Sequence, residues 1–369
     1  MGKPSVMRIF FFLLITAIVL WSCSSGSNRE ANLPKAAGSS GDLYLFMDSA
    51  QWKGPVGGVL DSLFNQEMTG LPREEGIFRM SWVDPRKMNF VLKQRRNLIF
   101  VVTLDQQGPG AQIVKNLLTT EQIAEIQNDT SKFVETFKNV YAKDQQVMFV
   151  FARTQDEILD KLKRNGQKLI EFFNKVERDR LNATLFKAGT VKGVSDWTKE
   201  NFHADFTVPF GYKLVQNEPD FLWVRQINSD DDRDIFVART DYTSTEQFKK
   251  ENLISFRNEI ARKYLFEDPD RPDTYLVTET SIPYKPVTTR EVNFNGNYAV
   301  EMRGLWRTNN LSMGGPFLAY AMTDKNTGKF FYVEGFMYGP SKDQREIMRQ
   351  LEVVLNTFRL EPASTASGK

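Results

Sequence analysis

Asn97-Leu98-Ile99-Phe100-Val101-Val102-Thr103-Leu104 is an almost unbroken apolar run, short for a helix and rich in β-branched residues. A strand apolar on both faces has to be covered on both faces, so the run predicts a central strand between helical layers. Its surroundings read accordingly. Downstream, residues 111–142 read as helical segments and 146–152 as a second apolar strand. Residues 156–186 read as one long amphipathic helix, or two joined near Asn165-Gly166, on the spacing of Ile158, Leu162, Leu169, Ile170, Phe173 and Val176. Upstream, 42–47 and 77–83 read as strands around a helix that carries Val56, Val59, Leu60, Leu63 and Phe64.

After a polar stretch at 188–201 the rhythm changes to several strands in succession, at 206–208, 212–215, 221–226 and 234–239, and then at 274–279, 298–306, 317–322 and 329–338. Ser244 with Gln247, and Ser341 with Gln344, have capping-box spacing and predict the starts of two helices. The buried stripe of the first is assigned to Phe248, Leu253, Phe256, Ile260 and Tyr264. The second buries Ile347, Met348, Leu351, Val354, Leu355 and Phe358.

The fold class expected is α+β, with two α/β sandwich-like domains whose mostly antiparallel or mixed sheets are packed by helices. The expected boundaries are a leader over 1–22, a flexible tether over 23–41, an N-terminal domain over 42–187, a linker over 188–201, a C-terminal domain over 202–360 and a disordered tail over 361–369. Ala152-Arg153-Thr154 and Ala238-Arg239-Thr240 each precede a helix carrying Leu-Ile-x-Phe-x-Asn. An internal duplication is one reading of this recurrence, and chance repetition of an amphipathic pattern is the other.

The leader begins with Lys3 and Arg8 and continues through the apolar run at 9–21, which is too short to span a bilayer comfortably. Leu20-Trp21-Ser22-Cys23 resembles a lipobox, with Trp21 where a small residue is usual, and Cys23 is the only cysteine in the chain. Lipidation of Cys23 is therefore expected. It would place the protein in the cell envelope, held by its lipid at the outer membrane and facing the periplasm.

The 48 Lys and Arg and 46 Asp and Glu become equal in number once Lys3 and Arg8 leave with the leader. A formally neutral body generates no field that recruits nucleic acid. One cysteine and one histidine exclude a structural disulfide and the usual zinc ligand sets, so no metal site or cofactor is assigned, and an oxygen-only calcium or magnesium site stays open.

Glu301-Met302-Arg303-Gly304-Leu305-Trp306, Met313-Gly314-Gly315-Pro316-Phe317 and Val333-Glu334-Gly335-Phe336-Met337-Tyr338-Gly339-Pro340, together with the leader, resemble a family of Bacteroidetes lipoproteins known only as a domain of unknown function, number 4837. The resemblance covers nearly the whole mature chain and implies a location but no activity. Val208-Pro209-Phe210-Gly211-Tyr212 and Leu355-Asn356-Thr357-Phe358 make the C-terminal block loosely similar to the Mog1/PsbP-like α/β/α sandwich.

No catalytic residues are assigned. His203 near Asp205 lacks an adjoining nucleophile motif, and Asp230-Asp231-Asp232 is followed by Arg233 where a calcium loop needs glycine. Glu301 and Arg303 alternate onto one strand face, and Glu334 is placed to join them if its strand lies alongside. Gly314, Gly315 and Pro316 form the candidate contact loop. Trp82, Trp223 and Trp306 lie in strand-like runs that suit burial. The expected role is non-enzymatic binding or assembly support, with an envelope protein as partner and the oligomeric state open. The alternatives are a carboxylate-dependent hydrolase of envelope glycan or peptide, which needs Glu301 and Glu334 to converge, and a surface glycan-binding protein, which needs exposed aromatic rings.

Overall fold

The apolar run at 97–103 is indeed central in a computed structural model of the chain, which describes residues 32–265, 271 and 273–361. The molecule divides into two compact units, one formed by the described residues up to Phe64 with Phe78–Leu169, the other by Asn65–Ile77 with the chain from Ile170 onward.

In the first unit the elements are β1 (Asp42–Phe46), α1 (Ser49–Trp52), α2 (Pro55–Phe64), β2 (Arg79–Val83), α3 (Phe90–Lys93), β3 (Asn97–Thr103), α4 (Pro109–Lys115), α5 (Thr120–Asn128), β4 (Val134–Lys138), β5 (Gln146–Ala152) and the first part of α6 (Gln155–Leu185). The sheet order is β2-β1-β3-β5-β4. Pairs β1–β2, β1–β3 and β3–β5 are parallel, and β4 closes the edge antiparallel to β5. Every residue of β3 and β5 is buried, as their unbroken apolarity requires. The helical reading of 111–142 is corrected at β4, where Val134, Thr136 and Lys138 alternate with Glu135 and Phe137 in the two-residue period of a strand. The long helix α6 runs unbroken through Asn165-Gly166. A Cβ on Gly166 would stand 2.5 Å from Leu63 Cδ1, so the glycine there makes room for a neighbouring side chain rather than a break.

The expected tether ends early. Lys143 N–H donates to Pro34 O (2.7 Å), Ala37 N–H to Gln94 O (2.8 Å) and Arg96 N–H to Ala37 O (3.1 Å), so the chain is fastened to the first unit from Pro34 rather than from Asp42.

The second unit holds the rest of α6, α7 (Lys192–Phe202), β6 (Ala204–Asp205), β7 (Lys213–Glu218), β8 (Phe221–Ile227), β9 (Asp232–Asp241), α8 (Lys250–Tyr264), β10 (Leu276–Glu279), β11 (Thr288–Phe294), β12 (Asn297–Thr308), β13 (Gly314–Asp324), β14 (Lys329–Tyr338), α9 (Arg345–Leu355) and β15 (Arg359–Leu360). An eight-stranded antiparallel sheet runs β10-β12-β13-β14-β9-β8-β7, with β11 also on β12. Alternate residues sort onto its two faces. Ile235, Val237, Leu318, Phe331 and Val333 pack with Met348, Leu351 and Leu355 of α9. Phe236, Ala238, Met302, Ala319 and Tyr332 pack with Leu253 and Ala261 of α8. The stretch 188–201, expected as a linker, is largely α7, whose Val194 and Phe202 join the α9-side core.

A mainly parallel sheet and an antiparallel one do not descend from each other by simple repetition, so the Ala-Arg-Thr recurrence is local patterning and not a structural duplication. Among the described residues no helix is long and apolar enough to cross a membrane. Cys23 and the residues after Glu361 lie outside the described residues.

Candidate functional site

The carboxylates singled out in the sequence do not converge. Glu301 on β12 is opposite Tyr320 of β13, and Glu334 on β14 is opposite Ala319, the preceding residue of the same strand. Successive strand residues point to opposite faces, so Glu301 lies on the α9 side and Glu334 on the α8 side. The expectation that both meet on one face fails because β13 intervenes with this register.

Each carboxylate is instead closed off by arginine. Glu301 accepts from Arg290 Nε (2.8 Å), Arg303 Nε (2.8 Å) and the Tyr320 hydroxyl (3.3 Å), and Arg303 reaches on to Glu352 of α9 (3.2 Å). Burial would raise the Glu301 carboxyl, but Arg303 and Arg290 outweigh it and hold the group down at about 2. Glu334 accepts from Arg257 Nε (2.9 Å) and Nη2 (2.8 Å) and from the Tyr332 hydroxyl (2.7 Å), with both ends of the ion pair wholly buried. Burial pushes Glu334 up while the Arg257 fork opposes it. Arg257 also donates to Thr278 Oγ1 (3.2 Å) and lies over the Phe317 ring (4.2 Å). With their acceptor sites filled, neither carboxylate is disposed to exchange protons with a substrate.

The Gly314-Gly315-Pro316 loop is corrected to the first three residues of β13, paired with Arg307, Trp306 and Leu305. A Cβ on Gly315 would stand 2.1 Å from Met337 O, so the glycine admits the close packing of β13 against β14. Gly315 and Pro316 are buried and unavailable as contact residues.

The other candidates are also engaged. His203 is the left-handed cap of α7 (φ 51°), and Asp205 pairs with Lys199 at 2.9 Å. Asp230 pairs with Lys342, Asp231 with Arg233 and Asp232 with Arg225, in a hairpin turn between β8 and β9. Among the described residues no group of three or more His, Cys, Asp or Glu is placed to hold a metal. The indole N–H groups of Trp82, Trp223 and Trp306 donate to Met47 O, Asp234 Oδ1 and Met337 O; Trp306 is buried and the other two are half-buried.

In the second unit a groove of about 640 Å³ lies at the C-terminal end of α9. Its floor is tied by Thr357, whose Oγ1 accepts from Thr207 N–H (3.1 Å) and donates to Thr207 O (2.7 Å). Asn295, in the β11–β12 turn, donates to the carbonyls of Asn356 and Phe358, both at 2.9 Å. These bonds satisfy carbonyls of the turn that follows α9. Arg178, Asp179, Asn182, Phe186, Asp205 and Arg359 form the rim. The side chain of Arg359 has no polar partner among the described residues. Such a groove offers hydrogen bonds and charges of both signs to a polar ligand.

The antiparallel sheet, α8 and α9 fall within one matched region, while the α6 wall of the groove lies outside it. Residues 193–357 match DUF4837, a domain of unknown function. Residues 36–186 match a second family model, DUF8532, also a domain of unknown function. The resemblance read at 301–340 thus lies within the DUF4837 region, while its expected reach over nearly the whole chain is corrected by the separate match at 36–186. No curated protein matches the chain. Among solved structures, a point mutant of the protein Mog1 is 10% identical with a TM-score of 0.28, over 44% of this chain and 93% of that chain. The Saccharomyces cerevisiae Ran-binding protein Mog1p is 10% identical with a TM-score of 0.27, over 43% of this chain and 90% of that one.

Two features of the DUF4837 region escaped the sequence reading. Arg257 was hidden by its type, although its four-residue spacing from Leu253 and Ala261 marks the buried line of α8. Asp234 begins the most apolar part of β9 and is buried beside Trp223 and Arg225 at a slot of about 20 Å³, room for roughly one water. Burial pushes its carboxyl up to about 7 against the opposing pull of Arg225 and the Trp223 indole.

Proposed function

We propose that this chain is a non-enzymatic envelope lipoprotein, anchored through Cys23, that binds a polar envelope component in the groove at the end of α9. The anchor is supported by the charged and apolar leader and by the single cysteine at a lipobox-like site. The binding role is carried by one observation, an open groove rimmed by Arg178, Arg359, Asp205 and Asn182 above a floor already satisfied by its own hydrogen bonds. A floor locked in this way is preorganised, and the rim is left to select the ligand. The buried carboxylates serve the fold in this reading, because their partners are arginines of the same unit.

A photo-crosslinking residue placed at Asn182 or Arg359 in the natively produced protein tests the groove. A single adduct of defined mass at both positions, lost when Asn356→Arg fills the groove, is the expected result. Adducts that persist with the groove filled, or no adduct at either position, would overturn it.

A further inference from the structure

Helix α3 is held at its start by Asn89, whose Oδ1 accepts from Leu92 N–H at 3.0 Å, and it turns Met88 and Leu92 toward the core of the first unit. Phe90 and Val91 face the other way and are 75% and 57% exposed. Single exposed apolar residues are ordinary, but two in succession on a fastened turn make a presented tip. Its flanks are basic. Arg86, Lys87, Lys93, Arg95 and Arg96 lie between Pro85 and Asn97 with no acid among them; the acid that precedes them in sequence, Asp84, pairs with Arg86 at 2.6 Å, which leaves Lys87 and Lys93 as the cations next to the tip.

The segment that follows Cys23 joins the fold at the same place. Ala37 bonds through its backbone to Gln94 and Arg96, and Lys35 bridges to Lys143. Cys23 precedes Pro34 by eleven residues, which reach at most about 40 Å when fully extended. A bilayer that holds a lipid on Cys23 is therefore kept within reach of this surface, at a high effective concentration.

We infer that α3 is a membrane-docking face, with Phe90 and Val91 entering the headgroup region of an anionic bilayer and Lys87 and Lys93 against its phosphates. Apolar tips inside a basic ring suit that interface on both counts, and a weak contact suffices because the anchor already supplies the affinity. The contact sets how the first unit lies on the membrane. The inference rests on the lipid anchor proposed above, and its test separates the two.

Because Cys23 is the only cysteine, a lipid on its sulfur leaves an introduced Val91→Cys as the sole free thiol. The full chain with Val91→Cys, natively produced and labelled there with an environment-sensitive fluorophore, is placed in vesicles of phosphatidylglycerol and phosphatidylethanolamine or kept in detergent. Iodide quenching of that label should fall about tenfold in the vesicles, and the protection should be lost with Lys87→Glu and Lys93→Glu or in phosphatidylcholine alone. Equal quenching of the Val91 label in vesicles and detergent, with Cys23 lipidated by mass, overturns the docking face and leaves the anchor standing. Two labelled thiols per chain remove the anchor, and protection of the Val91 label by added vesicles then decides the docking face alone.

Discussion

Glu75 caps the helix that begins at Arg345. Its Oε2 accepts from Arg345 N–H at 2.9 Å and its Oε1 from Gln344 N–H at 2.8 Å, across 270 residues of sequence. The box expected from Ser341 and Gln344 is thus replaced by a distant carboxylate, which also faces the positive end of the helix dipole. Glu75→Ala should lower stability by about 1–2 kcal/mol, measured by urea unfolding with tryptophan fluorescence. A change within about 0.3 kcal/mol would show that water replaces the cap without loss.

The segment that carries this cap is also a structural part of the second unit. Leu71 is buried in its α9-side core, Met68 packs against that core, and Arg345 donates to Gly76 O at 3.2 Å. A fragment beginning at Ala188, the expected linker, lacks both this segment and the last turns of α6. It should expose apolar surface, bind a hydrophobic dye and aggregate, whereas the full chain should not. A fragment that unfolds as sharply and at the same urea concentration as the full chain would contradict this.

Period and apolarity made the elements legible. Strands β3, β5, β12 and β14 are long apolar or alternating runs, and their readings at 97–104, 146–152, 298–306 and 329–338 fall close to the observed bounds. What pairs at a distance was not legible. β11, Thr288–Phe294, is largely polar because it lies at the sheet edge on β12, so hydropathy gave no sign of it. The separation of Glu301 from Glu334 depends on a register, one residue of which exchanges the faces of a sheet. The cap at Arg345 and the partner of Glu334 come from elsewhere in the chain and leave no local pattern. The groove was missed for the same reason, since its walls are drawn from α6, β6, the β11–β12 turn and α9.

Arg257 and Glu334 should behave as a buried pair in which each is costly without the other. Glu334→Gln leaves the Arg257 charge uncompensated and should cost about 3–5 kcal/mol, as should Arg257→Met. Combining Glu334→Gln with Arg257→Met removes both charges and should recover most of that loss. The four proteins form a double-mutant cycle readable by urea unfolding. Additive costs in the double variant would show that the pair is not energetically coupled.

Asp234 gives a pH dependence of definite sign. Its carboxyl is raised to about 7 in the fold, chiefly by burial, from an ordinary value of 3.8. The folded state therefore keeps its proton where the unfolded state has released it, and stability falls as pH rises through that interval, by up to a few kcal/mol. Glu301, held down at about 2 from 4.5, acts in the opposite sense, with stability lost as pH falls through that lower range. Comparison with Asp234→Asn isolates the first effect, since asparagine retains an oxygen for the Trp223 indole, 2.9 Å away, but does not ionise. The variant should match the parent near pH 4 and become the more stable of the two by pH 8, as followed by denaturant unfolding across that range. Parallel stability curves would mean that Asp234 is ionised in the fold throughout, with Arg225 and the indole compensating fully for its burial.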